Sequence, residues 1–217
     1  MVHALDAEKG RTGFFLRGAG KGRSPQGQFH SLSILDITAV RGKGDLEYLR
    51  ESERAYPLTG IRTDPSKGAV ALFIGELLWR GVLDGAMDPD LFRFLEREIT
   101  ALDLSQGSVA NFHICFLVDF CRALGFLPKD NYSPDTPFFQ PVTAEFTAPG
   151  LPAETWTEED SRLLHEILSK PREEAMAIPL NRDRRGLFAQ KMAEYLSYHL
   201  SLNLNLRSLK VLHDLFS

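Results

Sequence analysis

Gly10-Arg11-Thr12-Gly13-Phe14-Phe15-Leu16-Arg17-Gly18-Ala19-Gly20-Lys21-Gly22-Arg23 is an apolar strand running into a basic, glycine-rich loop. Alternation puts Phe14 and Leu16 on one face of that strand and Phe15 and Arg17 on the other. Downstream, Phe29 to Val40 carries Leu32, Ile34, Leu35 and Ile37 and predicts a second strand. Arg41-Gly42-Lys43-Gly44 predicts a tight turn, with two glycines to take positive φ. Leu46 to Arg54 then runs back as a third strand with a charged, exposed face.

After Pro57 the period changes from two to three or four. Asp64-Pro65 and Asp88-Pro89 each place an N-capping carboxylate before a proline suited to a first helical turn. Leu91, Phe94, Leu95, Ile99 and Leu102 form an apolar stripe on the second of these helices. Ser108 to Leu124 is nearly all apolar, the pattern of a helix central to a bundle, and Gly125 stops it. Proline breaks the pattern between Pro128 and Pro152, around a β-like stretch from Phe138 to Thr147. Thr157 to Asp160 carries a capping signal for the next helix. Arg182 to His199 and Arg207 to Phe216 complete the set. Strands followed by helices predict an α+β protein. Its expected parts are a small β domain over residues 1–57 and a helical domain over residues 58–217, with an insertion at 128–152.

Charge is distributed unevenly. Residues 1–44 hold seven Lys or Arg and three acidic residues, a net +4, while the whole chain is −4. Such asymmetry points to a polyanionic partner. Six of these cations (Arg11, Arg17, Lys21, Arg23, Arg41 and Lys43) fall on a strand, a loop and a turn, interleaved with Phe14, Phe15 and Phe29. Small barrels bind single-stranded nucleic acid in this way, a basic groove tracking phosphates while aromatic faces stack bases. Phe14 is expected in the core. Phe15 shares a face with Arg17 and either stacks bases or packs against the helices.

Catalytic patterns are missing. Gly18-Ala19-Gly20-Lys21-Gly22 lacks P-loop spacing, no βαβ unit surrounds it, and there is no Gly-x-Ser-x-Gly elbow. The six histidines are scattered, with no pair at i, i+4 to hold a metal. His113 reads as a core histidine. Cys115 and Cys121, six apart in an apolar helix, read as two buried thiols. The acidic clusters at 158–160 and 173–174 sit at helix starts, where they complement the macrodipole. The expectation is a binding protein with no catalytic residue, no cofactor and no bound metal. No apolar run is long enough for a membrane span and residues 1–10 lack a signal peptide's apolar block, so a cytoplasmic, membrane-free protein is expected.

The ordered set of segments resembles the RecO family. The Gly10–Arg23 stretch is similar to that family's turn, strand and basic run. Gln28 to Ala39 resembles the next barrel strand, and Glu53-Arg54-Ala55-Tyr56-Pro57 the junction into its helices. Asp64 to Arg80, Pro89 to Leu95, Ala110 to His113, Leu124 to Phe126 and Leu206 to Phe216 follow in the family's order. The resemblance implies an N-terminal OB-type β-barrel, here lacking its first strand, followed by an all-helical domain. It implies a bacterial, nucleoid-associated mediator of DNA repair and DNA recombination after DNA damage. That mediator binds and anneals single-stranded DNA and displaces single-strand-binding protein (SSB) for recombinase loading, with SSB, through its acidic C-terminal tail, and RecR as partners. Arg11, Arg17, Lys21 and Arg23 lie within the matching stretch and carry its DNA-binding role, while Arg41, Lys43 and Phe15 are added from charge and position. Many members carry a four-cysteine zinc site in the insertion. Residues 128–152 contain no cysteine, so the chain resembles zinc-free members. An SSB tail needs an apolar pocket with a cationic rim; Arg182, Arg184 and Arg185, beside Leu187 and Phe188, are the strongest basic cluster outside the barrel. The alternative is a protein-interaction scaffold of the same ancestry whose shortened barrel no longer binds DNA.

Overall fold

The structure is a computed structural model and describes residues 1–16, 29–42, 47–82, 85–150 and 155–216. The fold is α+β: four strands in an open sheet, then helices. By packing, the chain forms two compact units, Met1–Ser105 and Gln106–Ser217. The expected boundary at Pro57 is the change from strand to helix. The first three helices group with the strands.

In the first unit, β1 (Val2–Asp6) and β2 (Gly10–Leu16) form an antiparallel hairpin. Asp6 Oδ1 accepts the Glu8 and Lys9 amides at 2.9 Å, and Gly10 takes φ 70°, so the three-residue loop closes on itself. β3 (Leu35–Arg41) and β4 (Glu47–Arg54) form a second antiparallel pair, with a bulge between Thr38 and Ala39. The hairpins are joined where β2 runs parallel to β4, Phe14 opposite Glu47 and Leu16 opposite Leu49. The order is therefore β1-β2-β4-β3. This is the connectivity of strands two to five of a Greek-key OB barrel, with no strand joining β1 to β3 among the described residues.

The expected strand at Phe29–Val40 is corrected at its start. Leu32 has φ 60° and the Ser33 amide donates to the His30 carbonyl, so residues 30–33 make a turn. There the Ser31 hydroxyl donates to the Ala71 carbonyl of the helix Pro65–Gly81 at 3.4 Å. That tertiary contact outweighs the local β pattern.

Helix α1 (Thr59–Thr63) was not evident from periodicity. It packs on α2 (Pro65–Gly81) and α3 (Pro89–Leu104). The capping expectations hold: Asp64 accepts from the Ser66 and Lys67 amides, and Asp88 from the Asp90 amide. Val70, Phe73, Ile74, Leu77 and Leu102 are fully buried between these helices. Lys67 is buried too, and its ammonium donates to the Asp103 and Ser105 carbonyls, both at 2.7 Å. It thereby satisfies groups that the end of α3 would leave without partners.

In the second unit, α4 (Phe112–Ala123) is central, packed by α5 (Glu158–Ser169), α6 (Arg172–Met176) and α7 (Arg182–Leu200), with α8 (Ser208–Leu215) on α7. Ile114, Phe116, Leu117 and Phe120 are fully buried, as are Cys115 and Cys121. α4 begins at Phe112 and not at Ser108, because the residues before it form a turn closed by Phe112 N–H to the Val109 carbonyl. Within the insertion, β5 (Phe138–Gln140) and β6 (Glu145–Thr147) form the expected hairpin.

Replacing Lys67 by Met keeps the aliphatic stem but strips two buried carbonyls of their donor. Charged hydrogen bonds of this kind are worth about 1.5–3 kcal/mol. Urea unfolding of Lys67→Met is expected to show a loss in that range at unchanged m-value.

Candidate nucleic-acid interface

The parallel register of β2 and β4 sorts the residues around the signature strand. Phe14 and Leu49 are buried on the inner face. Phe15 lies opposite Tyr48, and Tyr48 lies opposite Val40 of β3. Directly opposed residues in a sheet project to the same side. Phe15, Tyr48 and Val40 therefore make a row across three strands on the outer face. The Phe15 and Tyr48 rings are 5.7 Å apart and tilted by 40°, both half-buried, and Val40 is 36% exposed. Tyr48 was missed by sequence reasoning; its alternation was visible, but its neighbour 33 positions away was not.

The cations are placed differently from one another. Arg41 ends β3 and is exposed. Arg11 is drawn into the protein: its guanidinium donates to the Trp79 carbonyl at 2.8 Å and stacks over the Trp79 ring at 4.8 Å. That carbonyl belongs to the last turn of α2, where a cation complements the macrodipole. His3 of β1 meets the same indole at 4.6 Å between centroids. Arg17, Lys21, Arg23 and Lys43 lie outside the described residues.

The second basic cluster separates into three environments. Arg182 is exposed and pairs with Asp183 at 3.4 Å. Arg184 turns towards α5, pairing with Glu159 at 3.1 Å and Asp160 at 2.5 Å. Asp160 is buried and also accepts from Thr157 at 2.7 Å and Lys191 at 3.1 Å. Burial alone would raise its carboxyl, but the Thr157 hydroxyl, Lys191 and Arg184 together hold it below the usual range. Arg185 is buried. It donates to Asn111 Oδ1 at 2.9 Å and to the Leu180 carbonyl at 2.7 Å, and lies 5.7 Å from the Phe216 ring centre. Asn111 in turn donates to the carbonyls of Met176 and Ile178 at 3.1 and 2.7 Å. This explains why Asn111 does not cap α4 with its side chain. His113 stacks on Phe216 and is pushed down to about 3 by burial and by Arg185, so it stays neutral as a core residue.

Beside Arg184 lies a groove of about 350 Å³ lined by Arg162, Leu163, Ile178 and Leu180, with Glu159 and Glu166 at its side. Arg184 Nη2 is buried, with no hydrogen-bond partner among the described residues. Arg162 was not singled out from sequence.

The insertion does not fit zinc. It has no cysteine, and the hairpin is secured by other means. Asn131 brackets Phe146, accepting from its amide and donating to its carbonyl, both at 2.9 Å. The Phe139 amide donates to Ser161 Oγ at 2.8 Å, and Phe139 packs against Phe146, Trp156 and Tyr195. Among the described residues no three His, Cys, Asp or Glu converge as a metal site, and no helix is long and apolar enough to cross a membrane.

Comparison with known proteins adds to this geometry. Residues 62–209 match the family model for the recombination protein O C terminal. The chain is 29% identical to a DNA repair protein RecO of Flavobacterium psychrophilum over 221 aligned positions, covering all of this chain and 92% of the relative. It is 32% identical to one from Bacteroides fragilis, over 87% of this chain and 79% of the relative. The RecO of Phocaeicola vulgatus is 33% identical over the same shares.

Two outcomes follow from the arginine environments. Arg185→Met should cost about 3 kcal/mol or more in urea unfolding, since it leaves buried acceptors on Asn111 and Leu180 unpaired, while Arg182→Ala should stay within about 0.5 kcal/mol. For Asp160, the folded carboxyl is depressed, so its stabilisation is present above the ordinary value of 3.8 and is lost as pH falls below it. A melting series from pH 6 to pH 2 should therefore fall less steeply in Asp160→Asn, from a lower plateau.

Proposed function

Because the chain belongs to the RecO family, we propose that it serves DNA repair by binding single-stranded DNA on the outer face of its sheet. The observation that carries this is the half-buried Phe15–Tyr48 pair, flanked by β3 and its terminal Arg41. Aromatic faces stack bases of any identity, and cations along the strands neutralise phosphates. Arg17, Lys21, Arg23 and Lys43 supply the remaining positive charge. Arg11, already engaged by Trp79, secures β2 to α2.

The finer activity follows from that mode of binding. A sequence-indifferent surface that holds strands without enclosing them lets complementary strands anneal. The groove beside Arg184 takes the acidic, apolar-ended tail of SSB: Leu163, Ile178 and Leu180 supply an apolar wall and Arg162 the cation at its rim, while Arg184 is held by Glu159 and Asp160. RecR and recombinase loading complete the role in recombination, carried out on the chromosome in the cytoplasm. Binding and hand-over account for all of it, with no catalytic step. The engagement of Arg11 favours one alternative, a protein-interaction scaffold of the same ancestry that binds SSB and RecR but not DNA.

Fluorescence anisotropy with labelled single strands at several salt concentrations separates the two. Log K should fall with log salt by about 0.7 per phosphate contact. Arg17→Ala with Arg23→Ala should flatten that slope equally for all sequences. Phe15→Ala and Tyr48→Ala should each weaken binding about tenfold, within the 1–3 kcal/mol of a stacked base, without changing the slope. Binding of the SSB tail peptide with no DNA affinity would establish the scaffold; wild-type affinity in the aromatic variants would move the DNA to another face.

A further inference from the structure

The face that bears Phe15 changes character along β3 and β4. Register places Val40 opposite Tyr48, Thr38 opposite Glu51 and Asp36 opposite Glu53. Opposed residues project to one side, and β3 alternates without a break from Asp36 through Thr38 to Val40. The three pairs are therefore successive rungs of one face. On β4 the bulge makes this possible. Arg50 is its extra residue, standing between Leu49, opposite Ala39, and Glu51, opposite Thr38. In unbroken alternation Glu51 and Glu53 would share the buried side of Leu49.

Asp36, Glu51 and Glu53 are all exposed. Asp36 meets Glu53 directly across the pair, and like charges so opposed destabilise a sheet. A rule of sheet stability broken at an exposed rung points to a functional cause. At about 3.3 Å per residue, the Thr38–Glu51 rung lies about 7 Å from the Val40–Tyr48 rung, and the Asp36–Glu53 rung about 13 Å from it. Charges are screened over about 8 Å at physiological salt. A phosphate above Thr38 is thus repelled by Glu51, whereas one above Tyr48 is beyond the reach of Asp36 and Glu53.

We propose, resting on the DNA face assigned to Phe15 and Tyr48, that Asp36, Glu51 and Glu53 form an electrostatic boundary that ends the single strand's track at the Val40–Tyr48 rung. The carboxylates touch no base. They keep the strand across the aromatic row and off the length of β3 and β4, and so limit how many nucleotides one chain covers. A short track held at few points is also one that a strand leaves readily, as hand-over requires.

The test is fluorescence anisotropy of the full chain with oligothymidine of about 6 and about 30 nucleotides, lengths that bracket or exceed the roughly 4–16 covered by one fold of this type. Asp36→Asn with Glu51→Gln and Glu53→Gln should bind the longer strand about fivefold more tightly at low salt, with the gain fading as salt rises, and should bind the shorter strand as wild type does. Glu53→Lys, which sets opposite charges across the rung with Asp36, should show the same length-dependent gain and melt no lower than wild type. Equal gains for the two lengths would overturn the boundary in favour of a plain effect of net charge. No gain for the longer strand, in variants where Phe15→Ala still weakens binding, would overturn the boundary and leave the DNA face standing. Wild-type affinity in Phe15→Ala and Tyr48→Ala would remove the face and the boundary together.

Discussion

Three residue pairs hold the sheet together. Phe14, Phe15 and Leu16 of β2 run parallel to Glu47, Tyr48 and Leu49 of β4, and no other pairing links the two hairpins among the described residues. Parallel strands cannot be joined by a tight turn, so this contact closes a loop of some thirty residues at an entropic cost. The compensation is the burial of Phe14 and Leu49 on one side. On the other side the same register sets Phe15 beside Tyr48. A one-residue slip would exchange the two faces, burying the half-buried aromatics and exposing the core. The core and the candidate DNA surface are thus one constraint seen from two sides.

In the second unit the corresponding point is the Asn111–Arg185 pair. One amide and one guanidinium join the start of α4, the carbonyls of Met176, Ile178 and Leu180, and α7, with Phe216 stacked nearby. The neighbouring Arg184 reaches in the other direction to α5. Adjacent arginines on a helix point about 100° apart, which is how one charged run comes to serve two packing contacts and one surface.

Local chemistry was legible in the sequence, and long-range chemistry was not. Asp64, Asp88 and Thr157 cap their helices as read, because a cap involves only the next two or three residues. Phe14 and the stripe on α3 were assigned to the core from alternation and period alone. The one-turn helices α1 and α6 show too little of a period to be read. Phe29 to Ile34 has strand composition but turns at Leu32, where a contact with α2 prevails over propensity. At the candidate sites, charge identified the residues but not their partners. Nothing near Arg11 in sequence announces Trp79, and nothing near Arg185 announces Asn111. The family resemblance came from the order of many modest segments, and the match over residues 62–209 bears it out.

The hairpin at 138–147 has a consequence for the conditions in which the protein works. Four thiolates around a zinc ion are a redox-labile clasp, since oxidants convert thiolates to disulfides or sulfenic acids and eject the metal. Here the same job falls to the Asn131 amide, the Ser161 hydroxyl and a cluster of aromatic rings, none of which those oxidants readily attack. The chain's two thiols, Cys115 and Cys121, are sealed within α4, and burial pushes that of Cys121 up, away from the reactive anion. Oxidants that attack thiolates therefore find none in this hairpin, and a shortage of zinc leaves it in place.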